Sequence, residues 1–270
     1  MKLKNNDQYL QSQFVILHQN EWLEKQRIAG RVASGCLKML QNLVAQSSEK
    51  TMLELDKMAH DYIFDNGCEP TFFNYKGFPN SVCISINNVL VHGIPDDTRL
   101  TEGDLVSFDL GATYQGAIAD NALTCIFGSP KNKEHQRLVQ ATEEALMESI
   151  KTISIGKRIG CIGYCISKVA KKYGYAVVEN YGGHGIGWNT PHAHPFVANK
   201  DVPENGIRFT PNMTIAIEPL FVIGNSSNTR VAEDGWSVLT TALSAHFEHT
   251  IYIHQNCVEI ITSRGENKCA

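Results

Sequence analysis

The chain has 270 residues, 43% hydrophobic and 19% charged, which suits one large globular domain or two small ones with a sizeable core. A formal net charge of −4 gives no electrostatic reason to expect nucleic acid or an anionic membrane as partner. No window approaches the roughly 18 consecutive apolar residues of a membrane span, and the first 14 residues lack the apolar core of a secretion signal.

Residues 1–20 show no clear periodicity and read as a mobile N-terminal extension. From Trp22 to Gln46, apolar residues recur at Ala29, Val32, Ala33, Cys36, Leu37, Leu40, Leu43 and Val44, the spacing of a helix with one buried face. Thr51 to Phe64 predicts a second helix, opened by a capping box of Thr51 and Glu54. The period then changes. Ser81–Val91 and Val106–Phe127 carry the β-branched alternation of strands, and a turn at Thr113-Tyr-Gln-Gly116 sets Asp109 opposite Asp120 across a hairpin. Two facing carboxylates repel unless a cation lies between them.

Helices follow at Glu134–Ile153 and Cys161–Tyr173, then strands near Ala176–Glu179, Met213–Val222 and Phe247–Ile253. Helices then strands, twice over, predict an α+β domain of two similar halves. Residues 21–262 read as that single domain and 263–270 as a tail. The eight cysteines lack zinc-site spacing and read as reduced thiols, which points to a cytoplasmic location.

Five metal-capable side chains stand in short motifs. Asp109 and Asp120 share the hairpin, and His184 sits among the glycines of Gly183-His-Gly-Ile-Gly187, where absent side chains let the backbone approach a ligand. Glu218 ends an apolar strand, and Glu248 lies inside another; a carboxylate there is costly unless paired or metal-bound. If they converge, four carboxylates and one imidazole hold two hard or borderline divalent ions such as Co²⁺, Mn²⁺, Fe²⁺ or Zn²⁺, a pair suited to hydrolysis. Taken singly, each motif also fits a solvated turn or strand end.

Read in order, Cys83-Ile-Ser-Ile-Asn-Asn, His92-Gly-Ile-Pro-Asp-Asp97, Gly103-Asp-Leu-Val-Ser-Phe-Asp109, Gly183-His-Gly-Ile-Gly187, Met213-Thr-Ile-Ala-Ile-Glu-Pro219 and Ser244-Ala-His-Phe-Glu-His-Thr250 closely resemble the methionine aminopeptidases of type I, over roughly Trp22 to Tyr252. The resemblance implies a pita-bread fold: two pseudosymmetric halves around a curved antiparallel sheet. It implies that Asp109 chelates one ion, that His184 and Glu218 hold the other, and that Asp120 and Glu248 bridge them. Glu218 would shuttle the proton, His192 would bind the substrate carbonyl and developing oxyanion, and His92 would meet the scissile amide nitrogen. The methionine pocket would be walled by Phe72, Tyr75, Phe78, Cys83 and Trp236, with Cys83 as wall and not nucleophile. The implied substrate is a peptide or nascent-chain N-terminus with a small second residue, the ribosome is a further candidate partner, and the chain would act as a monomer.

The chain departs from the family pattern in three places. His184 and His192 are one residue further apart than usual, which leaves His194 as an alternative to His192. Asn121-Ala122 replaces the small hydroxyl residue after Asp120, so a hydrogen bond behind the site is expected to be missing. The stretch between Trp236 and Glu248 is about two residues short. Competing readings are another pita-bread peptidase of the Xaa-Pro type and a non-catalytic pita-bread protein that binds a peptide or partner.

Overall fold

The computed structural model describes residues 20–47 and 49–266; the extension read at residues 1–20 lies outside these except for Asn20, as do residues 267–270. Helix α1 (Asn20–Ala45) buries Leu23, Ala29, Ala33, Cys36, Leu37, Leu40 and Val44 along one face, as the periodicity requires. Helix α2 (Met52–Asp65) starts at the predicted capping box: the Thr51 hydroxyl accepts from the Glu54 amide at 3.2 Å, and the Glu54 carboxylate accepts from the Thr51 amide at 2.7 Å.

After the short strand β1 (Glu69–Pro70), the expected strand at Ser81–Val91 divides into β2 (Cys83–Ile86) and β3 (Val89–Val91). The divide falls at Asn87, whose φ of +60° turns the chain. Strands β4 (Leu105–Tyr114) and β5 (Ala117–Ile126) form a hairpin closed by Gln115 and Gly116, both at positive φ, the two-residue turn that matches strand twist. This register corrects one expectation. Asp109 pairs with Ala122, and Asp120 with Gly111, so the two aspartates are diagonal neighbours on one face and not directly opposed.

Helices α3 (Lys133–Lys151) and α4 (Gly160–Tyr173) pack on each other. They are followed by β6 (Tyr175–Val177), β7 (Gly183–Gly187) and β8 (Thr190–Val197). The expected strand Met213–Val222 is broken at Glu218-Pro219 into β9 (Thr214–Ile217) and β10 (Leu220–Ile223), because Pro219 has no N–H to continue a ladder. Two short strands, β11 (Arg230–Val231) and β12 (Val238–Leu239), lead to β13 (Ser244–His246), β14 (Glu248–Ile253) and β15 (Val258–Ile260).

The main sheet runs β1-β4-β5-β14-β9-β7-β8, with β2 on β4 and β15 on β14, every pairing antiparallel. A second sheet is β13-β10-β6. Two chain segments therefore leave one sheet for the other at the same place, β9 to β10 through Glu218-Pro219 and β13 to β14 through Phe247. One apolar cluster from Leu23 to Ile261 joins α1, α2, α3 and α4 to these strands.

Arg264 donates to the Asn121 side chain and to the carbonyls of Ala122 (3.2 Å) and Glu248 (3.3 Å), so residues 263–266 pack behind the central strands. Among the described residues no helix is long and apolar enough to cross a membrane.

Candidate metal centre

The sheet order β4-β5-β14-β9-β7 presents the expected ligands one per strand: Asp109, Asp120, Glu248, Glu218 at the end of β9, and His184. Sequence distances of up to 139 positions collapse into five adjacent strands. Their ligand atoms form overlapping groups within 4.8 Å: Asp109–Asp120–Glu248, His184–Glu218–Glu248 and Asp120–His184–His192. Asp120, His184 and Glu248 each belong to two of these groups.

Burial makes this cluster electrostatically expensive. Removal from water pushes Asp120 up to about 7 and Glu218 up to about 8, the latter helped by Asp120. Asp109 and Glu248 are driven well above the usual carboxylate range by burial and by the neighbouring acids. One oxygen of Asp109 and one of Glu248 have no hydrogen-bond partner. Four buried acids, two of them with an orphaned oxygen, fit divalent cations, which would remove both the repulsion and the unsatisfied acceptors.

His184 is prepared for the same task. Its Nδ1 lies 3.1 Å from the Gly185 carbonyl, which can only accept, so the proton sits on Nδ1 and Nε2 keeps its lone pair. That Nε2 is 3.9 Å from Asp120, 3.8 Å from Glu218 and 3.9 Å from Glu248. Burial pulls the ring down to about 4, so it stays neutral and able to ligate.

The glycines around His184 have a different purpose from the one expected. A Cβ on Gly183 would strike the Ala216 carbonyl, and one on Gly185 the His194 carbonyl. They permit close approach of flanking strands, not of a ligand.

A cavity of about 500 Å³ opens over the ligands. Phe72, Phe78 and Cys83 form one apolar cluster with Ile94 and Trp236, and the Phe78 and Trp236 rings meet edge to face at 5.3 Å. Tyr75 stands apart from that cluster, with its hydroxyl 3.3 Å from His192. Cys83 pairs with Asp109 across β2 and β4, and burial raises its thiol well above the ordinary range, consistent with a wall and not a nucleophile.

His92 lines the cavity at φ +58°, a strained conformation for a non-glycine residue. Its ring packs against Tyr181 at 6.0 Å and Trp236 at 6.5 Å. His192 and His194 both border the cavity, but it is His192 whose ring lies 4.5 Å from His184 and 6.5 Å from Phe72. The longer connection is taken up by register shifts between β7 and β8.

Sequence reasoning missed Tyr181 and Lys76 on the cavity wall and His246 behind Glu218. His246 stood inside a quoted motif, but nothing in the local pattern marked its direction. Next to Asp120, the Asn121 backbone N–H donates to Asp120 Oδ1 at 3.0 Å, and the Thr250 hydroxyl accepts from the Asp120 backbone N–H and donates to its carbonyl, each at 2.8 Å.

Residues 24–255 match the sequence profile of metallopeptidase family M24. The chain is 39% identical over 250 residues to "Methionine aminopeptidase" of Mycoplasma capricolum, covering 92% of this chain and 98% of that protein. It is 41% identical over 244 residues to "Methionine aminopeptidase 2" of Mycobacterium tuberculosis, covering 90% and 84%. The crystal structure of methionine aminopeptidase from Rickettsia prowazekii superposes with a TM-score of 0.88 at 35% identity, covering 92% of this chain and 100% of that one. A prolidase from Pyrococcus furiosus shares the fold alone, with a TM-score of 0.72 at 22% identity.

Proposed function

The chain belongs to metallopeptidase family M24, and from that premise we propose that it is a type I methionine aminopeptidase of pita-bread fold, releasing methionine from peptide and nascent-chain N-termini. The observation that carries this reading is the convergence of Asp109, Asp120, His184, Glu218 and Glu248 from five neighbouring strands under an aromatic pocket.

Asp109, Asp120, His184, Glu218 and Glu248 would hold two divalent cations. When bound, such cations polarise the scissile carbonyl, lower the pKa of water and receive the free α-amine of the substrate. Glu218 accepts the proton of the attacking water and returns it to the leaving amine. His192 donates to the substrate carbonyl as negative charge builds there, and His92 faces the scissile nitrogen. Phe72, Tyr75, Phe78, Cys83 and Trp236 enclose the methionine side chain, whose thioether packs well on aromatic edges.

The chain works in the cytoplasm as a monomer, with residues 21–262 as its catalytic domain and the ribosome as a further candidate partner. Co²⁺, Mn²⁺, Fe²⁺ and Zn²⁺ all suit the donor set.

A peptide panel tests the reading. With Mn²⁺ or Co²⁺, purified protein should release methionine from Met-Ala-Ser and little from Met-Lys-Ser. Release only of residues that precede proline would move the chain to the Xaa-Pro peptidases, and no release with any of the four ions would overturn the enzyme assignment.

A further inference from the structure

Glu218 lies between two imidazoles. Its Oε1 is 3.8 Å from His184 Nε2 and faces the ligand cluster, while its Oε2 is 3.6 Å from His246 Nε2 on the opposite side. His246 ends β13, paired with Leu220 just beyond the Glu218-Pro219 break. The two places where the chain changes sheets thus set the imidazole against the carboxylate.

The ring is 1% exposed, and neither of its nitrogens has a hydrogen-bond partner. Burying an imidazole without partners costs free energy, and Glu218 Oε2 is the carboxylate oxygen within reach. His246 belongs to none of the three ligand groups, so its place is behind the cluster and not in it.

We infer that His246 is a positioning residue for Glu218: its ring N–H donates to Oε2 and fixes the carboxylate with Oε1 turned toward the ligand cluster and the substrate. The distance of 3.6 Å exceeds an ordinary hydrogen bond, and catalytic hydrogen bonds commonly tighten only in the substrate complex. A proton-shuttling carboxylate free to rotate would spend turnover time in the wrong orientation. The loss from removing such an outer partner is roughly 10- to 100-fold.

This inference rests on the aminopeptidase reading, and the test separates the two. Wild-type protein, His246→Leu, His246→Gln, Glu218→Gln and the Glu218→Gln/His246→Leu double variant are assayed on Met-Ala-Ser, and Mn²⁺ content is measured on each. His246→Leu should lower kcat about 10- to 100-fold, with KM and Mn²⁺ stoichiometry near wild type. His246→Gln, which keeps a donor, should recover most of the loss. In the Glu218→Gln background His246→Leu should cost less than about threefold, because the ring acts through Glu218. Wild-type kcat in His246→Leu, loss of Mn²⁺ from it, or full multiplicative loss in the double variant overturns the positioning role. If His246→Leu does not fold, a His246→Gln variant that folds yet is as impaired as Glu218→Gln also overturns it. An inactive wild type defeats the function itself.

Discussion

Arg264 donates a hydrogen bond to the side-chain carbonyl of Asn121, the residue that follows Asp120. The same guanidinium reaches the carbonyls of Ala122 and Glu248, residues that pair across β5 and β14. One cation from the C-terminal segment therefore fastens together the two strands that carry Asp120 and Glu248. Charge-assisted hydrogen bonds of this kind contribute about 1.5–3 kcal/mol. For a domain of this size, that lowers Tm by roughly 3–10 °C when the partner is removed. Arg264→Met should show that shift by calorimetry and should weaken Mn²⁺ binding; Arg264→Lys should recover part of both. Unchanged Tm and metal affinity in Arg264→Met would dismiss the fastening role.

The buried acids set a pH dependence whose sign can be worked out. Burial holds Glu218 near 8 and Asp109 and Glu248 well above their ordinary values, so the folded chain keeps protons that the unfolded chain has released. Stability from these groups is lost as pH rises through the folded values. The buried imidazoles act oppositely, since His184 falls to about 4 and His246 to about 3, but that effect is complete above their unfolded value near 6.5. Between pH 7 and 8.5 the carboxylates therefore decide. Chelator-treated protein should lose Tm over this window, whereas Mn²⁺ should raise Tm most at the alkaline end. A metal-free Tm that holds constant or climbs from pH 7 to 8.5 contradicts the burial of these acids.

The acids and the histidine that converge in the structure were legible because each stood in a short, ordered motif, and the helices because apolar periodicity and a capping box are local signals. The strand order was not. β5 and β14 meet across more than a hundred residues, and no local pattern records that pairing. Asp109 and Asp120 could have been placed diagonally from sequence: Gln115-Gly116 as the two turn residues pairs Tyr114 with Ala117, and counting outward separates the aspartates by two positions. The wider turn at Thr113–Gly116 left the register open. Pro219 was a visible breaker, yet the apolar run around it looked continuous. His246 and Arg264 were missed for one reason: their partners, Glu218 and Asn121, are distant in sequence.

The pocket makes a prediction about sulfur. Phe78 and Trp236 meet edge to face at 5.3 Å beside Cys83, and thioether–aromatic contacts contribute about 0.3–1.5 kcal/mol over a methylene. Norleucine has nearly the shape of methionine without the sulfur. The kcat/KM for Met-Ala-Ser should exceed that for norleucyl-Ala-Ser by about 2- to 10-fold, the factor those energies imply. Phe78→Leu should shrink the ratio toward one while keeping both substrates measurable. Equal rates in the wild type would mean that the pocket reads volume alone.

Glu218 carries the heaviest demand, since it belongs to a ligand group and is also assigned the proton. Glu218→Gln separates these tasks. The amide keeps an oxygen of similar reach but cannot take a proton, so kcat should fall by about 10²-fold or more. Metal binding should weaken less, because Asp109, Asp120, His184 and Glu248 remain. Kinetics on Met-Ala-Ser beside Mn²⁺ titration of the same sample compare the two. If turnover matches the wild type, the proton must be handled elsewhere, and His192, 4.5 Å ring to ring from His184, becomes the next group to replace.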